Sequence, residues 1–408
     1  MPHRILLVLL LVASATPLVT AQSTPRVRAI TAFVRLDREH YQAQLQDAVS
    51  FLHRAQSAYK RAGYDVQTLR ITTQPFPEYT RGLSGDQQLA FFRSLDELAQ
   101  KQEFIASIGP AMFSDSDDRG LADLLAEVLA SSKNLSGSIV IAGQDGLHWK
   151  AIAAAARTIQ FLAAHSPNGQ ANFNFAATAM LPPYGPFFPG SYFTSDGHQF
   201  AIGLESANVL QDAFSSGEDF SAARSSLAQK MAAALAPIEK IASTLAAQTR
   251  WNYDGMDVSP APGGEISIGA AIEKLTGVPF GSSGTLSAAA LITSVLRQLP
   301  VKHAGYSGLM MPILEDNTLA RRWAEGHISV DGLLAYSSVC GTGLDTIPLP
   351  GSISTRQIER MLSDTASLAY KWNKPLSVRL LLVTGKRPGE RTAFHDPHLV
   401  NTVLQPLP

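Results

Sequence analysis

There is one cysteine in the 408-residue chain, Cys340, so no internal disulfide is available and the fold has to be held by its own core. Charge is sparse as well. Charged residues make up 16% of the chain against 45% hydrophobic, with a formal net charge of -1, which excludes the basic surface that nucleic acid or an anionic membrane demands. What is left is a globular α/β chain with a large buried fraction. Long apolar runs are missing beyond the N-terminus. The run from Ile5 to Ala13 falls short of the roughly 20 residues of a spanning helix, and no later window supplies one. Arg4 before it and Val19-Thr20-Ala21 after it give the pattern of a secretory signal cleaved after Ala21. The expectation is an exported protein, periplasmic or extracellular, in which residues 1–21 are removed and residues 22–408 form a single domain. No cysteine adjoins the cleavage site to carry a lipid anchor, so no membrane contact is expected after processing.

Several catalytic motifs are missing too. Gly305-Tyr306-Ser307-Gly308 and Gly281-Ser282-Ser283-Gly284 lack the Gly-x-Ser-x-Gly spacing of a nucleophile elbow. Gly341-Thr342-Gly343-Leu344-Asp345-Thr346 ends in threonine where the dinucleotide fingerprint needs glycine, and no phosphate-binding loop ends in Gly-Lys-Ser/Thr, so no nucleotide cofactor is expected. His395 and His398 are separated by Pro397, which spoils a helical ligand pair and favours a surface turn. Asp115-Ser116-Asp117-Asp118 reads better as a solvated turn, with Asp118 capping the next helix, than as a calcium loop.

What is present is a repeating alternation of strand-like and helical segments. RVRAITAFVRL, DVQTLRITTQPF, FIASIGP, SGSIVIAG and ANFNFAATAML read as strands, separated by helical stretches over residues 37–62, 86–102, 121–131 and 147–164. Short apolar strands with helices between them point to parallel pairing through crossovers, in a barrel or a large covered sheet. LPPYGPFFPGSYFTSDGHQ breaks the pattern and reads as a domain linker or as a long functional loop inside one domain. Residues 221–250 are helical, with Pro237 expected to kink or divide them. Beyond Trp251 glycine becomes frequent and loops lengthen, and such loops on a rigid scaffold are where sites are built.

The polar residues in those loops are the candidates: Asp254 and Asp257 in NYDGMDVSPAP, Glu265 in GGEISIG, Glu315 and Asp316 in PILED, and Cys340 with Asp345 in VCGTGLD. Carboxylates can move protons or hold a divalent cation through oxygen, and glycines such as Gly341 and Gly343 let backbone approach a ligand closely. Structural readings stand beside these. Asp316 is well placed as a helix N-cap, Asp257 can satisfy a turn, and Cys340 fits a small buried hydrophobe as well as a reactive thiol.

The stretches GMDVSPAPGGEISIGAAIEKLTG, GSSGTLSAAALIT, GYSGLMMPILEDNTLA, YSSVCGTGLDTIPLPG and GKRPGERTAFHDPHLVN closely resemble the family catalogued as domain of unknown function 711, also called the UPF0210 or PFL family. The resemblance implies the fold of pyruvate formate-lyase-like proteins: a ten-stranded α/β barrel with a loop threaded into its interior, and Cys340 placed near the tip of such a loop. It does not carry over glycyl radical chemistry. Gly385 is followed by Lys386 where radical enzymes have Arg-Val-x-Gly-Tyr, and Cys340 is followed by Gly341 where the lyase has a second cysteine.

The leading expectation is an exported enzyme acting on a small polar metabolite in a barrel-interior pocket, by acid-base or thiol chemistry, with a divalent cation as an open alternative. Cys340, Asp345, Asp257 and Glu315 are the catalytic candidates, and Glu265, Asp316, Gly341, Gly343 and Lys386 the binding candidates. A non-catalytic small-molecule binder or sensor using the same cavity is the alternative. A third reading makes the loops a subunit interface, marked by an exposed apolar patch around LPPYGPFFPG, which leaves an oligomer open.

Overall fold

Strands and helices alternate through the chain much as the hydrophobic periodicity requires. A computed structural model describes residues 23–407 apart from positions 216 and 218, so the leader read from the sequence lies outside the described residues. The helix Tyr41–Arg61 buries Leu45, Ala48, Leu52, Ala55 and Tyr59, the three- and four-residue spacing of one helical face. Gly85–Lys101 and Thr355–Trp372 each open on a capping box, Ser84 with Gln87 and Ser354 with Gln357, which satisfies otherwise orphaned backbone N–H groups.

Ten strands form one sheet: β1 (Arg26–Val34), β2 (Val66–Thr73), β3 (Ile105–Pro110), β4 (Leu135–Gly143), β5 (Gly146–Leu147), β6 (Phe175–Ala179), β7 (Gln199–Glu205), β8 (Asn252–Ala261), β9 (Gly343–Pro350) and β10 (Leu376–Val383). Their order is β8-β7-β1-β2-β3-β4-β6-β10-β9, with β5 hairpinned onto β4. The central strands β1, β2, β3, β4 and β6 are parallel, as the crossover helices demand. At each flank a pair runs the opposite way: β7 is antiparallel to β1 and carries β8, and β10 is antiparallel to β6 and carries β9. The sheet is therefore mixed and mostly parallel. Among the described residues no ladder joins β8 to β9, so the expected closure into a ring is not present as strand pairing. Instead the segment 302–316 runs along both terminal strands. Met256 N donates to Lys302 O at 2.7 Å and Ala304 N to Met256 O at 2.9 Å on the β8 side, while Gly341 N donates to Leu309 O at 2.8 Å and Leu314 N to Thr346 Oγ1 at 3.1 Å on the β9 side.

The two faces of the sheet differ in chemistry. One is apolar: Ile30, Ala32, Leu69, Ile71, Ala106, Ile108, Ile139, Ile141, Ala177, Val378 and Leu380 join the main core, which also takes in the buried helix faces. The other presents Thr31, Arg70, Thr72, Ser107, Ser138, Thr178 and Ser377, all buried. The Pro-, Gly- and aromatic-rich stretch covers this second face, so it is a loop within the fold. Thr31 Oγ1 donates to Pro186 O at 3.0 Å, Thr72 and Ser191 share a hydroxyl hydrogen bond of 2.7 Å, and Ser107 Oγ donates to Ser191 O at 2.8 Å. Phe33 packs edge-on to Tyr184 and against Phe193 of the same loop.

Two local expectations are corrected and a third is narrowed. NYDGMDVSPA is a strand, β8, and GLDTIPLP, read as part of the cysteine loop, is the fully buried β9. Both lie at the ends of the sheet order, where Pro260, Pro348 and Pro350 can be accommodated because a terminal strand pairs along one edge only. Of the two outcomes expected at Pro237, a kink or a division, division is ruled out: one helix, Phe220–Gln248, continues through it, packed by Leu227, Met231, Leu235, Ile238 and Leu245.

Candidate functional site

Between the polar face and its covering loop lies a cavity of about 140 Å³. Arg28 from β1, Thr68 and Arg70 from β2, Ser377 and Arg379 from β10 and Asp345 from β9 line it, together with Glu315 and Tyr306 from the bridging segment and Phe187 and Phe188 from the covering loop. Exposed Lys133 and His398 also line it.

Glu315 is the hub. Only 4% exposed, it accepts from Arg28 Nη2 on Oε2 at 2.5 Å and from Arg379 Nη2 on Oε1 at 2.6 Å, and Arg379 Nε donates in turn to Asp345 Oδ1 at 2.5 Å. Burial alone would raise the Glu315 pKa, but the two guanidiniums outweigh it and hold the group at about 2. Arg379 is correspondingly raised: burial opposes its charge, and the Asp345 and Glu315 carboxylates prevail. The hub also constrains the sheet. β1 and β10 are separated by five strand spacings, about 24 Å if the sheet were flat, which is farther than two arginine side chains meeting at one carboxylate can span. The sheet is therefore bent around Glu315, with its polar face inside.

Arg70 is placed differently. It is 7% exposed, donates from Nε to Thr68 Oγ1 at 3.0 Å and from Nη1 to Pro186 O at 3.4 Å, and sits 5.0 Å from the centre of the Phe188 ring. Among the described residues it forms no ion pair. Burial and the Arg28 charge push its pKa down to about 9, against the pull of Glu315, so it remains cationic at neutral pH. Thr342 Oγ1, buried in the same wall, has no hydrogen-bond partner among the described residues. Tyr306 is neutral at physiological pH, its pKa raised chiefly by burial.

The sequence candidates divide. Glu315 and Asp345 meet in the cavity through Arg379. Asp257 is fully buried and serves the bridging segment: it accepts from Tyr306 N at 2.7 Å, and from Ser307 N and Ser259 N at 3.0 Å each. Desolvation raises its pKa, with those donors opposing. Asp316 is a double cap. It accepts from Ile268 N at 2.6 Å at the start of one helix and from Thr318 N and Leu319 N at 3.0 Å at the start of another. Glu265 is exposed and accepts from Asn317 Nδ2 at 2.6 Å. Asp254 lies 3.9 Å from Lys302, and Lys386, in the turn after β10, does not line the cavity. Gly341 and Gly343 do not line it either, although Thr342 between them does. A Cβ on Gly341 would stand 2.6 Å from the Gly308 backbone, and one on Gly343, with φ of +93°, 2.4 Å from Ser377 O.

Cys340 is not at the tip of an interior loop. It follows the helix Val330–Ser337, is fully buried in the main core, and its carbonyl accepts from the buried Lys374 Nζ. Desolvation lowers the Lys374 pKa. Among the described residues no group of three or more His, Cys, Asp or Glu side chains is gathered to hold a metal ion, and the two cavity carboxylates are taken by arginines.

Sequence reasoning missed Arg28, Arg70, Arg379 and Tyr306. The signal was available for two of the arginines. LRITT and VRLLL each carry an arginine amid apolar and β-branched residues, and strands of a parallel sheet are covered on both faces, so such an arginine is buried and needs a partner.

Fold and cavity together define an α/β protein with a mixed, mostly parallel ten-stranded sheet and an arginine-lined site on its polar face. The chain belongs to the family described as "Uncharacterised ACR (DUF711)", whose profile matches residues 19–395. It is 30% identical over 360 residues to a UPF0210 protein of Pyrobaculum arsenaticum, covering 84% of this chain and 78% of that one. A UPF0210 protein of Pyrobaculum aerophilum is 30% identical over 379 residues, 86% and 80% of the two chains, and one of Oenococcus oeni 25% over 357 residues, 83% and 79%. Among the described residues no helix is long and apolar enough to cross a membrane.

Two predictions follow from this geometry. Because the folded Glu315 pKa lies below its unfolded value, its stabilisation is present above about pH 4.5 and is lost as pH falls toward 2. Glu315→Gln should cost about 3–5 kcal/mol at pH 7, since it leaves two buried guanidiniums short of a counter-charge. That gap, read from urea unfolding at a series of pH values, should narrow on acidification, and a gap independent of pH would refute the pairing. Cys340 should be labelled by a thiol reagent only at the rate of unfolding; rapid labelling of native protein would contradict its burial.

Proposed function

We propose that this cavity receives a small polar metabolite and that the protein is a binder of that metabolite. The observation that carries this reading is a pair of groups in one buried wall: the Thr342 hydroxyl, with no hydrogen-bond partner among the described residues, and the Arg70 guanidinium, hydrogen-bonded to Thr68 and Pro186 but in no ion pair among them. Buried polar groups are ordinarily hydrogen-bonded and buried charges paired, and one departure from each rule converging on one cavity favours a missing polar ligand. In this reading the bent sheet encloses the ligand as a barrel of the pyruvate formate-lyase-like type, with the segment 302–316 closing the gap between β8 and β9. The two carboxylates act mainly as counter-charges that fix the arginines. Export rests on Arg4, the apolar run after it and the Val19-Thr20-Ala21 pattern.

One observation favours a second, catalytic reading. Asp345 takes Arg379 on Oδ1, while its Oδ2 accepts no hydrogen bond among the described residues and the side chain lines the cavity beside Tyr306. An acidic side chain placed so could abstract a proton from a bound metabolite, with the neutral Tyr306 hydroxyl as donor.

Mass spectrometry under native conditions, on protein produced with its leader, tests the first reading. The chain should begin at Gln22, and screening should find a small metabolite that adds mass and raises Tm. Ala176→Leu, which fills the cavity wall, should abolish that shift. A retained leader removes export, and a shift that survives Ala176→Leu places the ligand elsewhere. For the catalytic reading, Asp345→Asn should lower turnover of the ligand found by about 10²–10⁴-fold with binding retained; equal turnover by the variant leaves the protein a binder.

A further inference from the structure

We infer that the ligand is a small monocarboxylate with a compact apolar body, an inference that rests on the cavity being a small-molecule pocket. Three arginines line its inner wall, Arg28, Arg70 and Arg379, against two carboxylates, Glu315 and Asp345, while Lys133 and His398 line it only as exposed side chains whose charge solvent screens. The ion pairs join Arg28 to Glu315, and Arg379 to Glu315 and Asp345, and leave Arg70 over. One negative charge balances this wall, whereas a dianion would overshoot it.

The geometry of Arg70 selects a planar anion. A guanidinium has five N–H donors in a rigid fork, and here one is spent on Thr68 and one, weakly, on Pro186. Nη2 makes no hydrogen bond among the described residues, so three of the five donors, two of them on Nη2, remain for the oxygens of a carboxylate. The Phe188 ring, 5.0 Å away, supplies a cation–π contact, which is weaker than a matched anion. Thr342 Oγ1, also unpartnered, can donate to a carboxylate oxygen.

The rest of the wall selects the body. Phe187, Ala261, Tyr306 and Met310 belong to one buried apolar cluster, and Phe173 and Ile105 also line the cavity. A dry cavity of about 150 Å³ accepts benzene, so a volume of about 140 Å³ is on the scale of one small ring or a short branched chain and well below that of a nucleotide.

Isothermal titration of the mature full-length protein with benzoate, benzamide and inorganic phosphate tests this, using wild type, Arg70→Met and Arg70→Lys. Benzoate should bind, with the neutral isostere benzamide weaker by roughly 10- to 100-fold, the scale of hydrogen bonds to a charged group. Arg70→Met should erase that difference and Arg70→Lys keep part of it. Because methionine removes an unpaired buried charge, the Tm of Arg70→Met without ligand should equal or exceed that of wild type. Equal affinity of wild type for benzoate and benzamide, or a benzoate preference that survives Arg70→Met, overturns the inference. Binding of phosphate in place of benzoate overturns the carboxylate class while the pocket stands. If all three probes are silent to about 10 mM, a positive metabolite screen confines the failure to ligand class, and a negative one removes the pocket as well. A fall of several degrees in Tm for Arg70→Met, absent in Arg70→Lys, assigns Arg70 to holding the Pro186 loop and overturns the inference too.

Discussion

A single carboxylate, that of Glu315, sets the shape of this protein. Placing a charge where it is 4% exposed costs several kcal/mol unless partners meet it closely, and here two guanidiniums do so from strands far apart in the sheet. The pairing is geometric as much as energetic. Strands are held about 4.8 Å apart by their ladders, so β1 and β10 can serve one side chain only if the strands between them curve. The curvature turns one sheet face inward, and the polar space it encloses is the candidate site.

That inward face departs from the usual division of labour in a covered sheet, where both faces are apolar. Here helices take the apolar face, and hydroxyls, guanidiniums and loop carbonyls fill the other. The stretch 181–195 satisfies the Thr31, Thr72 and Ser107 hydroxyls, and the segment 302–316 is held by Asp257 at Tyr306 and Ser307 and tied at its end by Asp316 to Ile268 N. Gly308 and Gly341 press backbone to backbone at the join between that segment and the start of β9, where a single Cβ would come within 2.7 Å of the neighbouring chain. Small residues there are a packing requirement.

Much of the architecture was legible. The alternation of strand and helix, the parallel central strands and the Asp316 cap follow from hydrophobic period and capping chemistry, and the family was recognisable from its long glycine-rich motifs. The glycines and prolines of NYDGMDVSPA and GLDTIPLP misled, because a terminal strand tolerates both where a central strand would not. Cys340 drew attention as the lone sulfur in a glycine-rich stretch, yet nothing in the local sequence distinguishes a buried thiol from a pocket thiol. The arginines were overlooked for the opposite reason. A search for chemistry in loops passes over cations inside strands, although a charge flanked by apolar neighbours is the stronger sign of an interior polar site.

The clamp on Glu315 joins residues 287 and 64 positions away along the chain. A nascent polypeptide lacking its last strand would have Glu315 and Arg28 but not Arg379, and β9 would have no neighbour to pair with. Contacts of such long range close only after their loop entropy has been met. Closure of the clamp must therefore wait for the segment from Leu376 onward, which carries the last strand and Arg379. Until the C-terminus is made, the Glu315 carboxylate has one of its two guanidinium partners and the sheet lacks the strand that brings the other.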